Sequence, residues 1–84
     1  MPALELTLLT RPGCHLCDEA KAAMQPLLAE FGATLREVNV DSDDALRAAH
    51  GHDIPVVLLA GRKLAKHRID VAQLRRQLRE AAGG

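Results

Sequence analysis

The sequence predicts an α/β fold of element order β-α-β-α-β-β-α, and three observations carry that reading. The first half alternates a strand pattern, a helical pattern and a second strand pattern. Later, a continuous apolar run is followed at once by a turn and a second short strand. The chain then closes on an amphipathic stretch with a good helix cap in front of it. At 84 residues it is expected to form one domain, 1–84, with no room for a second core.

LELTLLT (4–10) is rich in aliphatic and β-branched residues, and Arg11-Pro12-Gly13 ends it, which reads as a strand. Leu16, Ala20, Ala23, Met24, Leu27 and Phe31 then recur at steps of three and four. They mark one face of a helix from His15 to about Phe31, with Gly32 as its stop. Pro26 lies inside it and removes one backbone hydrogen bond. TLREVNV (34–40) reads as a second strand, and a strand–helix–strand unit implies parallel pairing.

DSDD (41–44) offers several N-caps for a short helix over Ala45 to Ala49, closed by Gly51. DIPVVLLAG (53–61) is an apolar run of strand type that starts at Pro55 and ends at a Gly61-Arg62 turn. KLAKH (63–67) returns as its hairpin partner. Asp70 caps a last helix whose stripe is Val71, Leu74 and Leu78.

Composition excludes several functions. Phe31 is the only aromatic residue, so the core must be aliphatic and the chain has no platforms for stacking nucleic-acid bases. Net charge is zero, which argues against polyanion binding. The distribution is uneven: residues 1–61 hold four basic and nine acidic side chains, residues 62–84 seven and two. Arg75, Arg76 and Arg79 are read as the solvated face of the last helix. No segment is long enough for a membrane helix, and the N-terminal run lacks the basic flank of a signal peptide. The expected setting is a monomer in the reducing cytoplasm, with neither membrane nor nucleic acid as partner.

The chemistry gathers in RPGCHLCD (11–18), which contains the two cysteines, Cys14 and Cys17. In a reducing compartment two such thiols point to catalysis or metal binding rather than a permanent crosslink. Cys14 falls at the start of the first helix, where unpaired N–H groups and the helix dipole stabilise a thiolate. Thiols so placed drop from about 8.5 to roughly 3.5–7.5. Arg11, a fixed cation, and His15 add to that stabilisation, and Gly13 allows a substrate to approach closely. The expected reaction is attack by Cys14 on a disulfide, followed by attack of Cys17 on the mixed disulfide. The i, i+3 spacing sets both sulfurs on one side of the first turn.

A bare C-x-x-C is a weak signal, and one that opens the helix of a βαβ unit is much stronger. Here Ile54-Pro55 also precedes a buried strand. With these features the chain resembles the glutaredoxins, the small branch of the thioredoxin fold. RPGCHLCDEA is similar to the short glutaredoxin-like proteins with a C-x-L-C-x-x-A motif. The resemblance implies a three-layer thioredoxin-like fold with a four-stranded mixed sheet and helices on both faces. It also implies Cys14 as exposed nucleophile, Cys17 as buried resolving thiol, and a cis Pro55 facing them. Ile54 would offer its backbone to an extended peptide or to glutathione.

Two departures bear on the substrate. Glutaredoxins usually have Pro-Tyr between the cysteines, where this chain has His15 and Leu16. Their Gly-Gly after the fourth strand is matched here by Ala65 and Lys66, and their acidic pair leaves only Asp70. Lys66 or Arg68 would then meet a glutathione carboxylate. The expected substrates are a disulfide-containing protein or a glutathione mixed disulfide, with glutathione as co-substrate and no tightly bound cofactor.

Two alternatives come from other classes. Metal binding would join Cys14 and Cys17 to His50 and His52, or to His67, or share an iron–sulfur cluster between two protomers. The H-x-H spacing is unusual for such a site, and these histidines read better as loop or surface residues. The other alternative is a binding module whose thiols are incidental to its role.

Overall fold

The computed structural model describes residues 4–83. Its elements are β1 (Glu5–Thr10), α1 (His15–Phe31), β2 (Thr34–Asn39), a 3₁₀ turn (Val40–Ser42), α2 (Asp44–His50), β3 (Val56–Leu59), β4 (Arg62–Lys66) and α3 (Val71–Ala81). The predicted order is present in full; α1 begins and ends as expected, and the other boundaries shift by no more than two residues.

The four strands form one mixed sheet in the order β2-β1-β3-β4. β1 runs parallel to β2, with Glu5 opposite Thr34 and Thr10 opposite Asn39. It runs antiparallel to β3, with Leu6 opposite Leu59 and Leu9 opposite Val56. β1 is therefore paired on both sides, and the site grows from its C-terminal end.

Strand alternation sorts the sheet into two faces. Leu6, Leu8 and Val57 turn to one side, where they pack with Ala20, Met24 and Leu27 of α1 and Leu74 and Leu78 of α3. Leu9 and Val56 turn to the other, where they meet Val40 and, from α2, Leu46. The result is the expected three layers, with an aliphatic core throughout. Arg75 is not a purely solvated residue of α3: its Nε lies 3.0 Å from Glu30 Oε1 and ties α3 to α1. Arg76 and Arg79 are exposed, as expected.

Local chemistry explains the ends of the elements. Gly32 adopts φ +61 at the end of α1, and the amide of Ala33 closes back on the Leu28 carbonyl at 2.9 Å. α1 continues through Pro26, whose missing N–H leaves the Ala22 carbonyl without its helical donor. Asp43 Oδ1 accepts from the amides of Ala45 and Leu46 and caps α2; Asp70 Oδ1 accepts from Gln73 N–H and caps α3.

One local reading needs correction. The hairpin turn is Ala60-Gly61, not Gly61-Arg62: both residues have positive φ, +52 and +80, and Leu59 stands opposite Arg62. Positive φ at both central positions is the geometry of a type I′ turn, whose twist matches that of the flanking strands. Gly51 closes α2 as expected, its amide donating to the Arg47 carbonyl at 2.9 Å, with a right-handed φ −57 and ψ −29. Its need for glycine is spatial, since a Cβ there would lie 2.6 Å from the Arg47 carbonyl oxygen.

Candidate active site

Four residues, Arg11 to Cys14, carry the chain from the central strand β1 into α1. Gly13 takes φ +79, a conformation that costs other L-residues energy, and the Cys14 amide donates to the Arg11 carbonyl at 3.2 Å. This closes the turn and leaves Cys14 extended, φ −87 and ψ 108, as the N-cap of α1. Its Sγ does what a serine or aspartate oxygen does at such a position. It accepts the Cys17 backbone N–H at 3.1 Å.

The two thiols differ in environment. Cys14 is half-buried, whereas Cys17 is 3% exposed. Burial pushes the Cys17 thiol up to about 11, helped by its hydrogen bond to the Cys14 side chain and by the nearby charges of Cys14 and Asp18. A hydrogen bond from the Arg11 backbone acts in the opposite sense and is outweighed. Cys17 therefore keeps its proton at neutral pH, which suits a thiol that acts second.

Arg11 is placed differently from the simple thiolate partner expected. Its guanidinium grips Asp41 with two parallel bonds, Nε to Oδ2 at 2.8 Å and Nη2 to Oδ1 at 2.9 Å. That hydrogen bond raises Arg11 and lowers Asp41 from their ordinary values. Arg11 still lies within electrostatic reach of both sulfurs. Asp41 sits in the 3₁₀ turn, where its own amide donates to Asn39 Oδ1 at 2.8 Å. Asp41 was not legible as a site residue, because nothing in its sequence surroundings points to a partner thirty positions away.

His15 is exposed at the first position of α1. Leu16 follows it and, at 39% exposure, is the exposed large hydrophobic residue among those described. Leu16 borders a cavity of about 210 Å³ whose far wall is His67, Arg68 and Ile69. The structure thus brings Leu16 and Arg68 together. Lys66, exposed at the end of β4 opposite Val56, does not line that cavity.

The Ile54–Pro55 peptide is cis, as the resemblance implied. Pro55 is fully buried, and its carbonyl accepts the His67 N–H at 2.8 Å. The same N–H lies 3.2 Å from the Asp53 carbonyl. Among the described residues, neither backbone group of Ile54 enters a loop hydrogen bond. His67 holds this loop with φ +63, a left-handed conformation uncommon outside glycine, though histidine adopts it more readily than most. In the sequence His67 reads as a loop or surface residue, or as a metal ligand, and nothing near it marks it for that conformation.

The single-chain metal alternative finds no support. Among the described residues, no group of three or more His, Cys, Asp or Glu side chains is placed to hold an ion. His50 and His52 lie at the end of α2 and beyond it, and His67 pairs with Asp53 at 3.5 Å. Likewise, no helix among these residues is long and apolar enough to cross a membrane.

Comparison with known proteins agrees with this architecture. Residues 5–79 match the family model described as the glutaredoxin-like domain (DUF836). A glutaredoxin-like protein of Dictyostelium discoideum is 31% identical over 78 residues, which span 86% of this chain and 72% of that one. The X-ray structure of a structural-genomics target protein from X. campestris superposes with a TM-score of 0.71 at 38% identity, covering 89% of this chain and 96% of that chain. A thioredoxin from Halobacterium salinarum shares the fold, with a TM-score of 0.67 at 19% identity over 96% of this chain and 76% of its own. The chain belongs to the glutaredoxin-like domain family and has the thioredoxin fold.

Proposed function

We propose that the protein is a thiol–disulfide oxidoreductase that uses Cys14 and Cys17 to reduce protein or glutathione mixed disulfides. The observation that carries this reading is the Cys14 Sγ acting as helix cap, 3.1 Å from the Cys17 amide. A thiolate in that position gains a hydrogen bond and the positive end of α1. A structural thiol has no need to be there, half-exposed, with a second thiol one turn further in.

The electrons balance as follows. The Cys14 thiolate attacks one sulfur of the substrate disulfide, and the other sulfur leaves as a thiolate that takes up a proton. Cys17 gives up its proton and attacks Cys14 Sγ, releasing the second substrate sulfur as a thiol. The substrate has gained two electrons, and the protein holds a Cys14–Cys17 disulfide. Two thiol equivalents, from glutathione or from a thioredoxin-type dithiol in a reducing cytoplasm, restore it.

Around this centre, Gly13 keeps the approach to Cys14 open, and Ile54 offers its backbone beside the buried Pro55. Leu16 and Arg68 line the neighbouring cavity, His15 stands at the helix start, and Lys66 lies further along the same edge.

The test is direct. Cys14→Ser abolishes disulfide reduction, and Cys17→Ser accumulates mixed disulfides visible by mass spectrometry. Inactivity of the wild type toward every protein disulfide and glutathione mixed disulfide tried would sink the reading. Comparing turnover of a glutathionylated substrate with that of a protein disulfide assigns the preferred class.

A further inference from the structure

A cation beside a nucleophilic thiolate ordinarily draws anionic substrates toward it. Here that cation is already matched. Arg11, within electrostatic reach of Cys14 and Cys17, has two of its guanidinium nitrogens on the two oxygens of Asp41. Such fork-to-fork pairs are directional as well as charged, so they hold one geometry better than a lysine pair would. The pair is about two-fifths exposed and contributes little to stability. Its effect is on the local field.

The position of the pair gives that field a consequence. Arg11 borders two cavities. One, of about 230 Å³, passes Gly13 and reaches Cys17. The other, of about 410 Å³, lies between the active-site turn and α2, beside Arg47, Gly51 and His52. The arrangement repeats across the second cavity, where Arg47 Nη2 meets Asp44 Oδ1 at 2.7 Å. Each guanidinium at its rim is answered by one carboxylate. The smaller cavity, the one that reaches Cys17, is lined by Asp18 and Glu37 as well as Arg11. The approach to the dithiol from this side therefore has little net positive charge, although Arg11 borders it.

We propose that Asp41 is a specificity-determining residue that withholds Arg11 from incoming substrates, so that the site favours uncharged disulfides over small anionic ones. The inference rests on the dithiol reading above and names the substrate class for it.

Pre-reduced protein is mixed with dithiobis(nitrobenzoate), which is dianionic, or with uncharged dithiodipyridine, and the first reaction is followed by stopped flow. Asp41→Asn is expected to raise the anionic-to-neutral rate ratio about five- to tenfold at low ionic strength, the gain shrinking as salt is added. Asp41→Ser gives the same direction. Adding Arg11→Gln to Asp41→Asn returns the ratio to the wild-type value. A ratio unchanged in both Asp41 variants, or a gain that survives Arg11→Gln, overturns the proposal. Mass spectrometry of the same mixtures separates the two failures. Absence of an intramolecular Cys14–Cys17 disulfide in the wild type would refute the dithiol reading and take this inference with it.

Discussion

The backbone N–H of Cys17 donates to Cys14 Sγ over 3.1 Å, so the sulfur proposed as nucleophile also caps the helix it stands on. Removing that sulfur should have two separable effects. Cys14→Ser keeps a capping oxygen and should fold with at least wild-type stability while losing all reductase activity. Cys14→Ala loses both functions and should be about 1 kcal/mol less stable than Cys14→Ser in urea unfolding. Equal stability of the two variants would show that the cap contributes nothing.

Cys17 supplies a pH dependence. Its thiol rises from the ordinary 9.0 to about 11 because burial disfavours the thiolate. In the unfolded chain the same group ionises first as pH rises, so the unfolded state holds fewer protons in that window. Folding stability of the reduced protein is therefore full below pH 9 and is lost progressively toward pH 11. Cys17→Ala lacks this component, and its stability should fall less steeply over the same range. Parallel slopes for the two proteins would contradict the burial argument.

Leu16 offers a test of substrate contact. It is exposed beside the dithiol and borders the cavity closed by Arg68 and Ile69. Leu16→Ser should change stability by no more than about 0.5 kcal/mol, as surface substitutions do. Reduction of a protein disulfide should fall several-fold in kcat/KM, whereas a small uncharged disulfide should be nearly unaffected. Equal losses for both would place the effect on the thiols rather than on substrate contact.

The β3–β4 turn contains a correctable flaw. Ala60 sits at φ +52, where its Cβ is strained, next to Gly61 at φ +80. Ala60→Gly or Ala60→Asn should raise stability by up to about 1 kcal/mol without touching the site, read as a higher melting temperature.

Much of this was legible in the sequence because local patterns and tertiary needs agree. The strand in 4–10, the helical face from Leu16 to Phe31 and the Asp70 cap each follow from residues close together in the chain. What was hidden depends on partners far apart or on residues placed against their preferences. Asp41 reads as one capping candidate among several, and only the packing of the 3₁₀ turn against the active-site loop brings it to Arg11. Ala60 has no turn preference to announce it, so the sequence alone points to a turn one residue further on. Arg75 fits a solvated face until α3 is docked against α1 and Glu30 comes within reach.

β1 is held by neighbours on both edges, and the reactive turn leaves directly from its last residue. Amide hydrogens of such a strand exchange with solvent chiefly through opening of the whole domain. Cys14 stands four residues beyond this strand, at the N-cap of α1, so its position is set by two packed elements. In the proposed reaction three sulfurs must come into line. A nucleophile mounted so close to this strand would leave most of that alignment to the partner, which would favour disulfides in extended or loosely held segments over those locked inside folded domains.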